Sequence, residues 1–356
     1  MNGINNKGIL EKAFHRFNKN QVIEYITGKK VGWVLDKKKK NKEDLKNDFL
    51  QLEGSLSKQD IKDLAEMNVM KKKRGLSAYT YKFKHLGKLK DKTVEELQKE
   101  FIKSFPLNSV YEIVLAGINI EGENIIVSLK VKEYGNYWKS GVQDLGSLTA
   151  FYDNKVIIEK NTKKVSIEAG DDNLEDVIAD FLDKRLGLPL SPYTMGIFNA
   201  SYSNNDSATQ KTMLIFDFIY NRLPARGISS SFNKVNFKIK SNHQNGGVQG
   251  VSVHGDNIIN SDEACKYITL GNDIVSFKTT SIYNGSKVNI EFSLKGKDFD
   301  RLKIVITDNK SEQIKQEVME HIQEEYILMC THGIKEIEKT RTKLEPIIQA
   351  FINSRT

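Results

Sequence analysis

Cysteine is scarce in this chain: 356 residues hold two, Cys265 and Cys330, far apart and without paired spacing. That excludes a disulfide framework and points to a reducing, cytoplasmic setting. Proline is scarce too, at five residues, while lysine dominates arginine and asparagine is frequent, the codon signature of an AT-rich genome. Long apolar runs are missing. The best candidate, MLIFDFIY at Met213 to Tyr220, is short and contains Asp217, well below the roughly 18 apolar residues that span a bilayer. The first residues, MNGINNKGILEKAFHR, lack the apolar stretch of a signal peptide. The expectation is a soluble protein with no membrane partner.

Chemical motifs are also wanting. GVQDLGS at Gly141 to Ser147 has the glycine spacing of a phosphate-binding loop but no phosphate-contacting lysine. Cys330 and His332 have no second pair at metal-ligand spacing, and no HExxH occurs, so neither a metal nor a cofactor is expected. Ser-x-x-Lys at Ser55/Lys58 and at Ser231/Lys234 comes without companion motifs. His254-Gly255-Asp256 is locally like a fragment of a metallophosphoesterase but reads as a turn between strands. The nearest approach to a metal-dependent nuclease is Asp153 with Glu159-Lys160, which lacks the residue that should separate the last two. No catalytic residue is assigned.

What the chain does have is an uneven distribution of charge. Residues 1 to 90 carry 22 Lys/Arg and 10 Asp/Glu, a net of +12, whereas the whole protein is +8, leaving the rest at −4. One genome writes both ends, so codon bias does not explain the difference. A basic module joined to a mildly acidic body is an argument about partners.

Apolar spacing predicts helices through Ile9 to Phe17, Val22 to Ile26, Leu45 to Leu52 and Ile61 to Met67, the last opened by Ser57 with Asp60 and closed by KKKRG with Gly75 beyond its end. Tyr79, Tyr81 and Phe83 alternate with Thr80, Lys82 and Lys84, the period of a strand with one aromatic and one basic face. Thr93 to Glu96 is a capping box. From Val110 the period turns to two, with a first group of strands ending near Ala169, an amphipathic helix over Asn173 to Leu186, and a helix from Thr209 ending before Pro224. A second strand group follows, in which Asn284-Gly285 marks a hairpin. The last 45 residues are helical. The fold class is α+β: a small basic N-terminal helical domain over residues 1 to 90, an antiparallel-sheet body with interspersed helices over 91 to 310, and a long C-terminal helix over 311 to 356.

Nucleic acid is the partner that this basic module suits. Lys29, Lys30, Lys37, Lys38, Lys39, Lys40, Lys42, Lys71, Lys72, Lys73, Arg74, Lys82 and Lys84 recur in loops and at helix ends, which favours phosphate neutralisation over reading of base edges. Tyr79 and Tyr81 interleave with them and would either stack on bases or support the fold. A bland reading, solvated lysine-rich loops, stands beside this one. In the C-terminal helix Ile334, Ile337, Leu344, Ile348 and Phe351 form a stripe that would either pack on the sheet or bind a partner or a second copy. The function expected is a non-enzymatic nucleic-acid-binding scaffold subunit, with DNA favoured over RNA, in a larger bacterial or mobile-element assembly such as one for antiviral defence. The alternatives are a divergent metal-dependent nuclease, or a structural, oligomer-forming protein whose basic domain binds an acidic partner.

Overall fold

The computed structural model describes residues 6–135, 145, 147–196, 209–239, 249–256, 258–307 and 311–353. Helices and antiparallel strands mix along the chain, so the fold class is α+β, with a basic helical N-terminal region and a helical C-terminus. Two compact units emerge. The first comprises Met1–Lys72, Lys92–Ile120 and Ile126–Lys155, and the second Lys73–Asp91, Glu121–Ile125 and Val156–Thr356.

In the first unit, α1 (Asn6–Arg16), α2 (Lys19–Lys29), α3 (Lys46–Leu50) and α4 (Lys58–Val69) enclose a core in which Leu10, Phe14, Val22, Ile26, Leu45, Phe49 and Leu64 are fully buried. Two of these helices start at reciprocal caps. Asn18 and Gln21 close a capping box on α2, and Ser57 and Asp60 close one on α4, satisfying N–H groups that the first turn leaves unpaired. Only one α turn forms around Phe49, flanked by 3₁₀ turns. The same unit holds α5 (Val94–Phe101), capped by Thr93 and Glu96, and strands β2 (Ser104–Pro106), β3 (Tyr111–Glu121), β4 (Asn124–Tyr134) and the first part of β5 (Leu148–Glu159), in the spatial order β2-β3-β4-β5. A buried ion pair of 2.8 Å between Glu66 of α4 and Lys132 of β4 joins its helical and sheet portions. Lys71 N donates to Phe151 O at 2.8 Å beside it.

The second unit is built on a sheet. Its strands are β1 (Leu76–Phe83), β6 (Lys164–Glu168), β7 (Leu190–Pro192), β8 (Ser229–Lys238), β9 (Gly250–His254), β10 (Asp273–Tyr283), β11 (Ser286–Lys295) and β12 (Arg301–Ile306). They run in the order β6-β1-β12-β11-β10-β8-β9, with β7 also pairing β1. The pairs β1–β6, β1–β12, β10–β11, β11–β12 and β8–β10 are antiparallel. Asn284 and Gly285 take positive φ, 48° and 71°, in the tight β10–β11 hairpin, which that dipeptide tolerates at little steric cost. The remaining helices are α6 (Asp172–Leu186), α7 (Gln210–Asp217), α8 (Asp262–Thr269), α9 (Glu312–His332) and α10 (Ile337–Asn353). Residues of α7 to α10 share one apolar core with β8, β10, β11 and β12, including Phe216, Phe232, Phe277, Phe292 and Ile322.

Several sequence expectations need correction. Strand β1 is a central strand, buried on both faces, and not a half-exposed aromatic strand: Ser77, Ala78, Tyr79, Thr80 and Tyr81 are all buried, with Lys82 exposed. Thr80 is satisfied by Gln323 of α9, whose side-chain amide donates to Thr80 Oγ1 at 3.1 Å and to Ser166 Oγ at 2.9 Å. Gly75 does not cap α4, which ends at Val69. A Cβ on Gly75 would lie 2.1 Å from Ile306 O, so close backbone approach beside β12 demands the glycine. The C-terminal helical segment is two helices, because Gly333 takes φ 73° and ends α9. The stripe on the second follows the packing alternative: Ile334 and Leu344 lie in the core, with Ile337, Ile348 and Phe351 partly buried against it.

The helix at Thr209 ends as expected before Pro224, after a π turn over Phe218–Arg222 closed by Leu223 N donating to Phe218 O at 2.9 Å. In an unbroken α-helix, residues five apart point about 140° away from each other. The wider turn brings Arg222 Nε to 3.0 Å from Asp217 Oδ2. Asp217 is fully buried and also accepts from the backbone N–H groups of Lys335 at 2.8 Å and Glu336 at 3.0 Å, at the start of α10. Arg222 completes the joint by donating to Gly333 O at 2.8 Å and to Glu325 Oε2 at 3.3 Å. Removing one partner of such a buried pair strands the other charge. Asp217→Ala is therefore expected to lower unfolding stability by about 3–5 kcal/mol. By contrast Lys184→Ala, which breaks an exposed pair with Asp180, should change it by less than about 1 kcal/mol, with urea titrations reading both.

Candidate nucleic-acid interface

The basic loop that leaves α2 is held in place. Trp33 N donates to Lys30 O at 3.1 Å across a tight turn in which Gly32 takes φ 77°. Trp33 Nε1 donates to Asp48 Oδ2 at 3.0 Å, and Lys39 Nζ reaches the same oxygen at 2.6 Å. The bond from Lys39 is the main reason that the Asp48 carboxyl sits below its usual range, with Trp33 helping against burial. Trp33 and Leu35 pack on the helical core, and Lys19 Nζ donates to Lys40 O at 2.6 Å. The loop is thus anchored at several points, with alternate side chains docked.

The lysines of this unit divide into two groups. Lys29 is paired with Asp60 at 2.6 Å, Lys39 with Asp48, and Lys42 donates to His15 O at 3.1 Å with its ammonium 4.9 Å from the Phe14 ring centroid. These three serve the fold. Lys30, Lys37, Lys38, Lys40, Lys71 and Lys72 are exposed, and none of their side chains forms an ion pair among the described residues. Within the second unit Lys73, Arg74, Lys82 and Lys84 are exposed, Lys82 lying 5.9 Å from the Tyr193 ring centroid. Tyr79 and Tyr81 are 2% and 3% exposed, which removes them as stacking platforms: a base cannot reach either ring.

A charged cluster that the sequence pattern does not reveal surrounds Tyr79. Lys295 of β11 stands directly opposite Arg301 of β12, and Lys303 of β12 opposite Tyr79 of β1. Like charges so placed repel unless acids come from elsewhere. They come from the first two turns of α6. Asp172 accepts from Tyr79 Oη at 2.5 Å, Lys303 Nζ at 2.7 Å and Lys295 Nζ at 2.5 Å, while Arg301 meets Glu175 at 3.1 Å and Asp176 at 3.3 Å. Burial works to raise the Asp172 carboxyl, but the three donors outweigh it and hold it well below the ordinary range. Glu175 is different: burial pushes it up to about 7, with Arg301 opposing and Asp176 adding to the rise. The only signal in the sequence is the Asp171–Asn173 cap together with the like-charged Lys295 and Arg301. Their contact spans more than 120 residues, and no local pattern reports it.

The other chemical candidates resolve into structural roles. Glu159 accepts from buried Lys164 at 2.6 Å and from Thr162 at 2.9 Å, and Asp153 is exposed on β5. His254 Nε2 lies 2.9 Å from Ser252 Oγ on β9. Cys330 is a buried thiol, pushed by burial up to about 12. Among the described residues no group of three or more His, Cys, Asp or Glu could hold a metal ion. Gly141 to Asp144 and Gly146 of the GVQDLGS stretch lie outside the described residues. Among the described residues no helix is long and apolar enough to cross a membrane.

No family model matches the chain, and no curated protein matches it.

Because Glu175 binds its proton more tightly in the fold than in the open chain, the stability it contributes is full below about pH 4.5 and is lost as pH climbs through about 7. Asp172 works in the opposite direction, and its contribution fades only as pH falls below the ordinary aspartate range. The variant Glu175→Gln should flatten the melting temperature between pH 4.5 and 7 and leave the acid limb unchanged, as scanning calorimetry across pH would show.

Proposed function

We propose that the protein is a non-enzymatic, backbone-directed nucleic-acid-binding component of a larger assembly, acting on DNA rather than RNA. One observation carries the reading: Lys30, Lys37, Lys38 and Lys40 are exposed and, among the described residues, without ion pairs on a loop that Trp33, Lys39 and Asp48 hold in place. Solvated surface lysines need no such anchoring. Here Asp48 is engaged in positioning the loop, and the exposed ammonium groups of Lys37, Lys38 and Lys40 beside it support contact with an outside anion. Lys71 and Lys72, exposed just beyond the end of α4, extend the same unit's basic surface.

Phosphates suit these donors. Lysine presents a point charge on a flexible stem, which neutralises a backbone without reading bases. The exposed lysines without ion pairs among the described residues lie in the loop and beyond the end of α4, so register on the duplex would come from the loop. The mildly acidic remainder of the chain is the part proposed to meet protein partners. With the C-terminal stripe committed to the core, that contact falls to other surfaces.

The test is a salt series of binding to a short DNA duplex, with and without magnesium. Retention that weakens steeply with salt, with the DNA left intact, is the expected result. Replacing Lys37, Lys38 and Lys40 by alanine, with Lys39 kept to hold the loop, should reduce the salt slope by up to about 2.7, near 0.9 for each phosphate that is no longer neutralised. An absence of binding at low salt would sink the reading, and magnesium-dependent loss of the DNA would replace it with a nuclease.

A further inference from the structure

The same loop carries a feature that phosphate contacts leave unexplained. Val31 is fully exposed, at 103%, and Val34 is 82% exposed, the two most exposed large apolar side chains among the described residues. They are not the by-product of a loose segment. Trp33 and Leu35, the neighbours of Val34, are packed on the core, and the turn at Val31-Gly32 is closed by the Trp33 to Lys30 hydrogen bond. The fold therefore holds two valines outward on a single anchored turn and the residues that follow it. Lys30 precedes them and Lys37, Lys38 and Lys40 follow.

On the reading proposed above, we infer that this segment enters the minor groove of B-form DNA, with Val31 and Val34 against the groove's apolar sugar walls and the flanking lysines on the phosphates of the two bordering strands. The minor groove of B-DNA is about 6 Å wide, too narrow for a helix but open to a single tight turn. Apolar side chains flanked by basic ones are a recurring way of occupying it. The A-form groove of duplex RNA is wide, shallow and lined by 2′-hydroxyls, so the valines would find no apolar walls and would desolvate polar groups there. The apolar segment thus supplies what the lysines alone lack, a means of telling DNA from RNA. An anionic bilayer also sets an apolar interior behind phosphates. Two valines, however, offer less apolar surface than one myristoyl chain, which by itself anchors a protein only marginally. The wedge-in-groove geometry is the better match for so small a segment.

The experiment uses the full chain and fluorescence anisotropy, with a 20-base-pair DNA duplex, the RNA duplex of the same sequence, and DNA pre-bound by netropsin as a minor-groove competitor. Val31→Ser/Val34→Ser is the test variant, and both sites are exposed enough that its fold should be unchanged by circular dichroism. DNA should bind about 10-fold more tightly than RNA, and netropsin should weaken binding. The double variant should lose about 5- to 10-fold on DNA, erase the preference over RNA and keep the salt slope. Equal affinity for DNA and RNA, or no valine effect while salt-dependent DNA binding persists, overturns the inference and leaves the nucleic-acid reading standing. No binding to either duplex overturns both. Valine-dependent partition onto phosphatidylserine-containing vesicles, with no valine effect on DNA, assigns the segment to a membrane and overturns the inference.

Discussion

The buried Asp217–Arg222 pair is the constraint on which the larger unit depends. Neither charge reaches water, so both must be satisfied by the protein, and the geometry that satisfies them joins three helices. A π turn places the two on one side of the chain after α7. Asp217 then supplies the start of α10 with the acceptor its free N–H groups need, and Arg222 holds Gly333 O, where α9 ends. The break between α9 and α10 thereby becomes a fixed corner. With that corner set, Ile334 and Leu344 fall into the core beneath. Glu325, shared between Arg222 and Arg226, extends the joint along α9.

Charge does two kinds of work in this protein, and burial separates them. Where water is largely excluded, acids and bases come in matched sets: Glu66 with Lys132, Glu159 with Lys164, Asp217 with Arg222. Unmatched charge there would cost several kcal/mol for each group. On the surface of the N-terminal unit the matching is partial: Lys29 and Lys39 are paired, while among the described residues Lys30, Lys37, Lys38 and Lys40 form no ion pair. An excess of one sign is tolerable only in water, where it is screened and can attract an opposite partner.

Much of the element pattern is legible in the residues. Helical spacing at Ile9 to Phe17, the capping boxes at Ser57 and Thr93, the helix before Pro224 and the Asn284-Gly285 hairpin all depend on contacts within a few residues, and all appear. The roles of Tyr79, Tyr81 and Gly75 are not legible in the same way. Alternation in β1 suggests one exposed face because Thr80, Lys82 and Lys84 are polar. Gln323, 243 residues away, makes a buried Thr80 tolerable by hydrogen bonding to it. Likewise, which lysines are internally paired depends on Asp48 and Asp60, which sit on helices that the charge pattern alone does not place next to the loop.

What the sequence by itself determined is local: the type of each element, the hairpin, the caps, and the concentration of positive charge in the first 90 residues. These follow from backbone preference and short-range periodicity, which the chain carries wherever it folds. Only the tertiary structure decided which side chains are available. Burial turned the tyrosines and the C-terminal stripe inward, paired off Lys29 and Lys39, and gathered Asp172, Lys295 and Lys303 from distant segments. It also left Val31 and Val34 outside, because Trp33 and Leu35 took the places against the core. Exposure belongs to the packed whole, and no residue type or spacing encodes it alone.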